Sequence, residues 1–211
     1  MARVLAFGDS LTWGYKPDKS GRHDAAHRWP EVLESALDGV TVIPEGLNGR
    51  TTAYDDLSSP ADLNGARLLP TLLSTHKPLD LTVIMLGTND IYRSLELRDT
   101  ARGLSRLVEI IRHHPGRTSY IADRILLVAP PPMIAGPDPD VSEQMAARSR
   151  ALPARIGQVA RECAVSFFDA SEIGTPSTID GVHFEPELSR AIGLALVDPV
   201  RAMLEGTSAP D

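Results

Sequence analysis

The sequence predicts an α/β protein of three layers, in which helices cover both faces of a central parallel sheet of about five strands. Short apolar runs, which are typical of buried strands, alternate with segments whose apolar residues recur at helical spacing. The most apolar run, 79–86, is nearly continuous, as expected for a central strand that is covered on both faces. We therefore expect consecutive βαβ units in a single domain over residues 1–211.

The individual elements follow from the same patterns. Strands are predicted at 4–7, 40–43, 79–86, 125–129 and 165–168. Apolar residues at helical spacing predict helices over 28–37, 63–73, 97–111, 141–163 and 188–204. Three of these helices contain a proline that indicates a break or a kink, namely Pro70, Pro153 and Pro199. The charged stretch 16–27 is predicted to form a surface loop over a crevice.

Charge and composition exclude several classes of protein. The formal charge is −7, and no run of basic residues offsets it, which argues against nucleic acid or an anionic membrane as a partner. The first strand begins by Arg3 and no segment approaches the roughly 20 apolar residues of a membrane span, so we expect a soluble, cytoplasmic protein. The single cysteine, Cys163, cannot form an internal disulfide, and no Cys/His cluster has the spacing of a zinc site.

Ser10 follows the first predicted strand in a small polar turn. Binding crevices in open α/β sheets form at the carboxyl ends of the strands, so Ser10 is placed like a nucleophile. The alternative is that Ser10 serves only as a loop or helix-cap residue. Right-handed crossovers bring the ends of parallel strands to one edge. We therefore expect Ser10 to face the turns at 48–49, 89–90 and 180–183.

A carboxylate precedes one histidine by three residues, at Asp180 and His183. On a turn, this spacing can bring the carboxylate to Nδ1 of the imidazole and leave Nε2 free to face a hydroxyl, as in a Ser-His-Asp triad. The alternative is a contact that only stabilises the turn. The other five histidines are predicted to be ordinary surface residues, namely His23, His27, His76, His113 and His114.

Hydrogen-bond donors for an oxyanion are also present after the strands. Asn89 supplies a side-chain amide, and Gly49 and Ser10 supply backbone N–H groups, which together would form an oxyanion hole. Alternatively, Asn89 closes an Asx-turn and Gly49 accommodates an unusual backbone angle.

The residues that carry these signals are Gly8-Asp9-Ser10-Leu11, Gly49, Gly87-Thr88-Asn89-Asp90 and Asp180-Gly181-Val182-His183. In this order they resemble the four sequence blocks of the SGNH hydrolases, also called GDSL esterases. The stretches 8–14, 45–47 and 50–52 further resemble the bacterial arylesterase and acyltransferase subgroup.

The resemblance implies a flavodoxin-like fold, with Ser10 as nucleophile, His183 as base and Asp180 as its partner. It also implies an oxyanion hole from Ser10, Gly49 and Asn89, a homo-oligomer, and no metal or organic cofactor. We expect a serine esterase that acts on short-chain acyl esters, chiefly acetyl esters of aryl, alkyl or sugar alcohols, with transfer to alcohols as a second activity. The expected pocket wall, whose members could equally be core residues, consists of Trp13, Tyr15, Tyr92 and Ile179.

Three alternatives stay open. Within the esterase class, the chain could be a lipid or thioester deacylase, which needs an extended apolar groove. It could be a non-catalytic binding module, although the intact set of site residues argues against this. A nucleotide-binding protein needs a phosphate cradle, but neither the P-loop pattern nor G-x-G-x-x-G is present.

Overall fold

The computed structural model describes residues 1–115 and 124–206 of the chain. Its five strands form one parallel sheet in the order β2-β1-β3-β4-β5. The strands are β1 (Ala2–Gly8), β2 (Val40–Gly46), β3 (Leu81–Met85), β4 (Ile125–Ala129) and β5 (Ser166–Asp169). Helices lie on both sides of the sheet, which confirms the predicted α/β/α fold.

Each face of the sheet has its own layer of helices. One face is covered by α3 (Gly65–His76), α5 (Leu97–Arg112) and α7 (Leu152–Glu162). The other is covered by α2 (Trp29–Ser35), α8 (Pro186–Ala195) and α9 (Val197–Glu205). Shorter helices lie between these, namely α1 (Ser10–Trp13), α4 (Thr88–Tyr92) and α6 (Glu143–Arg150), with 3-10 turns at Ala25–His27 and Ala170–Glu172.

The three central strands, β1, β3 and β4, are largely apolar because their alternate residues face opposite helical layers. In β1, Leu5 and Phe7 pack with Leu69 of α3. Ala6 packs on the opposite side with Trp29 of α2. All five side chains are fully buried. The apolar clusters on the two faces of the sheet therefore fix the position of β1, and with it the position of the turn that follows.

The predicted effects of the prolines are only partly correct. The expected break at Pro70 is wrong, since α3 runs unbroken through it, and Leu69 and Leu73, which are buried beside it, hold the helix against the sheet. The other two interruptions exist but come earlier, at Ala151 and Leu196. Pro153 and Pro199 instead lie in the first turns of α7 and α9, where a missing N–H costs nothing.

The strand order places a crevice at one edge of the sheet. The order reverses between β1 and β3, and ligands of open α/β sheets bind at such a switch point. Ser10 follows β1 and Asn89 follows β3, so both lie at this position. Within the described residues, no helix is long and apolar enough to cross a membrane.

Candidate active site

Ser10 is the first residue of α1, immediately after β1. The preceding Asp9 caps this helix, because its side chain accepts a hydrogen bond from the backbone N–H of Leu11 at 3.0 Å. The hydroxyl of Ser10 lies 3.0 Å from Nε2 of His183, although the two residues are 173 positions apart in sequence. The structure thus brings together the serine and the histidine that the sequence singled out.

The turn 177–185 holds His183 beside Asp180. Nδ1 of His183 lies 2.6 Å from Oδ2 of Asp180, and Oδ1 of Asp180 accepts the backbone N–H groups of Val182 and His183, each at 2.9 Å. Burial acts to raise the pKa of Asp180, but these hydrogen bonds outweigh it and hold the pKa below its ordinary value. Asp180 is therefore an ionised acceptor that fixes the orientation of the imidazole.

Gly181 is required for the shape of this turn. Its φ is +73°, and a Cβ built there would lie 2.0 Å from the carbonyl oxygen of Ile134. The backbone N–H of Ile134 in turn donates to the carbonyl of Gly181 at 2.8 Å. The loop after β4 therefore packs directly against the turn that carries Asp180 and His183.

His23 differs from its prediction as a surface residue. It is buried, and its Nε2 lies 3.0 Å from the carbonyl oxygen of Phe184. The prediction failed because the polar composition of loop 16–27 hides a contact with a segment about 160 residues away. This contact ties the loop to the residue that follows His183.

The two remaining predicted donors line the same cavity as Ser10 and His183. Gly49 has a φ of +84°, in the left-handed region that favours glycine. The amide nitrogen of Asn89 lies 3.1 Å from Oδ2 of Asp9 and 3.2 Å from the carbonyl oxygen of Arg50. All five residues predicted for catalysis and the oxyanion hole therefore meet at one edge of the sheet.

Two charged residues beneath the cavity were not assigned from the sequence. Asp9 is fully buried, and burial raises its pKa to about 6. Arg50 is also buried; it donates to the carbonyl of Gly8 at 2.8 Å and to that of Glu45, and its guanidinium lies 4.2 Å from the ring centroid of Phe7. Burial lowers the pKa of Arg50 to about 10, which leaves it charged at neutral pH. Both lie in stretches that carry the family resemblance, but nothing in the sequence assigns either of them a role.

The cavity above the site has a volume of about 470 Å³. Tyr15 and Tyr92 line it, and the ring centroid of Tyr15 lies 4.7 Å from that of His183. The ring centroid of Trp13 lies 6.1 Å from that of Tyr15, and Ile179 is 55% exposed. Two of the four aromatic or apolar residues expected in the pocket wall thus line the cavity, while Trp13 and Ile179 lie outside its lining.

Charged side chains are also part of the cavity lining. Nζ of Lys19 lies 3.2 Å from Oδ2 of Asp138, which links loop 16–27 to the loop after β4. Burial and the neighbouring carboxylates of Asp140 and Asp138 raise the pKa of Tyr92. Among the residues that the structure describes, no group of three or more His, Cys, Asp or Glu side chains could hold a metal ion.

Comparisons with known proteins relate the chain to esterases. The sequence model of the GDSL-like lipase/acylhydrolase family matches residues 6–191. A carbohydrate acetylesterase family member from Sinorhizobium meliloti is 42% identical, with a TM-score of 0.91, and the match covers 97% of this chain and 100% of that one. The aryl esterase of M. smegmatis is 39% identical, with a TM-score of 0.88, over 96% of this chain and 100% of that one. Among curated proteins, no sequence matches the chain.

Proposed function

The chain belongs to the GDSL-like lipase/acylhydrolase family, and from that premise we propose that it is a serine esterase that acts on short-chain acyl esters. The single observation that carries this proposal is the 3.0 Å contact between the hydroxyl of Ser10 and Nε2 of His183. A serine is a weak nucleophile unless a base accepts its proton, and this distance lies within hydrogen-bond reach.

In the proposed reaction, His183 takes the proton of Ser10 as the serine oxygen attacks the ester carbonyl. The ionised Asp180 keeps the proton of the neutral imidazole on Nδ1, so that Nε2 is the basic atom, and it stabilises the imidazolium that forms. Collapse of the tetrahedral intermediate releases the alcohol, which receives the proton from Nε2. Water then attacks the acyl-serine by the same route and releases the acid.

Three donors would stabilise the oxyanion of the tetrahedral intermediate: the backbone N–H groups of Ser10 and Gly49 and the side-chain amide of Asn89. The amide nitrogen of Asn89 carries two hydrogens and lies within hydrogen-bond distance of two acceptors, Oδ2 of Asp9 at 3.1 Å and the carbonyl oxygen of Arg50 at 3.2 Å. The oxyanion would replace the carbonyl of Arg50 as an acceptor, because a neutral carbonyl is a weaker acceptor than the ionised carboxylate of Asp9.

The charged side chains in the cavity lining support a substrate with a short acyl group. A volume of about 470 Å³ suits a small ester. Lys19 and Asp138, which line the cavity, would meet the methylenes of a long acyl chain, and the loss of water from these charges carries a cost. The similar solved structures include an aryl esterase and a carbohydrate acetylesterase, so we propose acetyl esters of aryl, alkyl or sugar alcohols, with transfer to alcohols as a second activity.

The proposal is tested by the initial rate of aryl acetate hydrolysis for the wild type and Ser10→Ala, both shown to be folded. We expect turnover by the wild type and background rates for the variant. Equal rates for the two proteins would show that Ser10 is not the nucleophile. A series of esters with longer acyl chains separates a short-chain esterase from a lipid deacylase, since rates should fall with chain length in the first case and rise in the second.

A further inference from the structure

Asp9 is a buried carboxylate that the mechanism above leaves without a role, and we propose that it is a positioning residue for the oxyanion hole. In this role it holds the side-chain amide of Asn89 so that the amide nitrogen, and not the amide oxygen, faces the oxyanion. The inference rests on the proposed function, because it requires Asn89 to act as a donor during acyl transfer.

The two oxygens of Asp9 have different partners. Oδ1 accepts the backbone N–H of Leu11 at 3.0 Å, and Oδ2 accepts the amide nitrogen of Asn89 at 3.1 Å. The first bond caps α1, the helix that begins with Ser10. The second bond is made to Asn89 in α4, the helix that follows β3. One carboxylate therefore joins the nucleophile's helix to the side chain proposed as an oxyanion donor.

The partners of Asn89 fix which end of its amide occupies this position. The amide group lies between Oδ2 of Asp9 and the carbonyl oxygen of Arg50, 3.2 Å away. Neither an ionised carboxylate nor a carbonyl can donate a hydrogen bond, so both require the nitrogen rather than the oxygen of the amide. Without the oxygen of Asp9, only the bond to the carbonyl of Arg50 would resist rotation of the amide. A rotated amide presents its oxygen to the oxyanion, which repels it.

The surrounding charges favour the ionised carboxylate that this role needs. Burial raises the pKa of Asp9 to about 6, and the N–H of Leu11, His183, Arg50 and Asn89 act in the opposite direction. The carboxylate is consequently ionised at neutral pH, where both of its oxygens are acceptors.

A carboxylate meets the requirements of this position, whereas an amide does not. The side chain introduced by Asp9→Asn would have one acceptor oxygen for two donors. If that oxygen faced Leu11, the new amide nitrogen would face the nitrogen of Asn89 and turn it over. If it faced Asn89 instead, the cap of α1 would be lost. Serine is a good N-cap but is too short to hold Asn89, so Asp9→Ser separates the two roles.

The test combines each Asp9 variant with Asn89→Ala in a double-mutant cycle and uses aryl acetate as substrate. In the wild-type background, we expect Asp9→Ser and Asp9→Asn to lower kcat by about tenfold or more with little change in KM, because a transition-state contact is lost. In the Asn89→Ala background, whose own kcat is reduced by about two to three orders of magnitude, the same changes should cost less than about twofold. Circular dichroism and thermal unfolding verify that each variant is folded.

Three results would overturn the inference, and they are distinguishable. If Asn89→Ala lowers kcat but Asp9→Ser does not, the proposed function stands and Asp9 has no positioning role. If Asp9→Ser costs the same factor in both backgrounds, Asp9 acts independently of Asn89. If Asn89→Ala itself retains the wild-type kcat, the oxyanion role of Asn89 fails and the role of Asp9 fails with it.

Discussion

The carboxylate of Asp90 accepts two hydrogen bonds from Thr52, one from the backbone N–H at 2.8 Å and one from the hydroxyl at 2.6 Å. Both residues are fully buried. Burial raises the pKa of Asp90, and the bonds from Thr52 act to lower it. Since Asp90 follows Asn89 and Thr52 lies shortly after Gly49, this pair joins the two segments that carry proposed oxyanion donors.

We predict that Thr52→Val lowers the free energy of unfolding by about 2 kcal/mol, because a buried carboxylate loses one of its donors. The kcat for aryl acetate should also fall, since Gly49 and Asn89 would no longer be held in register. Urea denaturation and steady-state kinetics measure the two effects. Thr52→Ser keeps the hydroxyl and is the control, with an expected cost of about 1 kcal/mol for the lost methyl group. Equal stability of Thr52→Val and wild type would contradict the prediction.

Gly181 and Gly39 form a matched pair for testing the turn beside His183. Their φ angles are nearly the same, +73° and +72°, but a Cβ at Gly181 meets the carbonyl of Ile134 at 2.0 Å, whereas one at Gly39 meets nothing within 4 Å. Gly39→Ala should cost about 1 kcal/mol from backbone strain alone, and Gly181→Ala about 3 kcal/mol or more. Only Gly181→Ala should abolish esterase activity, and similar effects of the two changes would refute this explanation of the turn.

Arg50 is predicted to stabilise the fold through geometry that lysine cannot supply. Its guanidinium bridges two backbone carbonyls and stacks on the ring of Phe7. Arg50→Lys should therefore lower the free energy of unfolding by about 2 to 4 kcal/mol. Arg22 also donates to a carbonyl and stacks on an aromatic ring, Trp13, but is partly exposed, so Arg22→Lys should change stability by less than about 1 kcal/mol. Chemical denaturation of the wild type, Arg50→Lys and Arg22→Lys measures these changes in the free energy of unfolding.

The raised pKa of Asp9 predicts a pH dependence of stability. Its ordinary value is 3.8, and its value in the folded protein is about 6, so the folded state holds this proton more tightly than the unfolded state. The contribution of Asp9 to the free energy of unfolding is therefore fully present below its unfolded-state pKa and is lost as the pH rises through its folded-state pKa. The difference between the two values corresponds to about 3 kcal/mol.

The measurement compares the unfolding free energies of wild type and Asp9→Asn from about pH 3 to about pH 8, a range that spans the two pKa values. As the pH rises over this range, the free energy of unfolding of the wild type should fall by about 3 kcal/mol relative to that of Asp9→Asn. Asp180, whose pKa is lowered, loses its contribution as the pH falls, but it is present in both proteins and cancels. A difference that is constant with pH would mean that Asp9 is not perturbed by folding.

Much of the fold could be predicted because it depends on local patterns. The apolar run that becomes β4, Ile125–Ala129, predicts the strand to the residue, because Arg124 precedes the run and Pro130 follows it. The effects of the prolines on the helices were harder to predict. Pro70 lies within an unbroken α3, because burial of the leucine before it outweighs the lost hydrogen bond.

The site was predictable where residue type and turn position coincide, and unpredictable where a role depends on partners distant in sequence. Ser10 and His183 could be paired in advance because parallel strand ends meet at one edge. The burial of His23 depends on a backbone carbonyl at Phe184, and the position of Asp9 beside Asn89 depends on a contact across 80 residues. Neither contact leaves a periodic signal in the sequence.

The most direct test of the central claim is covalent labelling with an aryl phosphonate ester, which reacts with an activated serine and is not hydrolysed as an acyl-serine is. Mass spectrometry of the intact and digested protein then locates the label. Activation of Ser10 by His183 predicts one label per chain, carried by Ser10, absent from Ser10→Ala and strongly slowed in His183→Ala. A label on another residue, or equal labelling of the wild type and Ser10→Ala, would contradict the proposed mechanism.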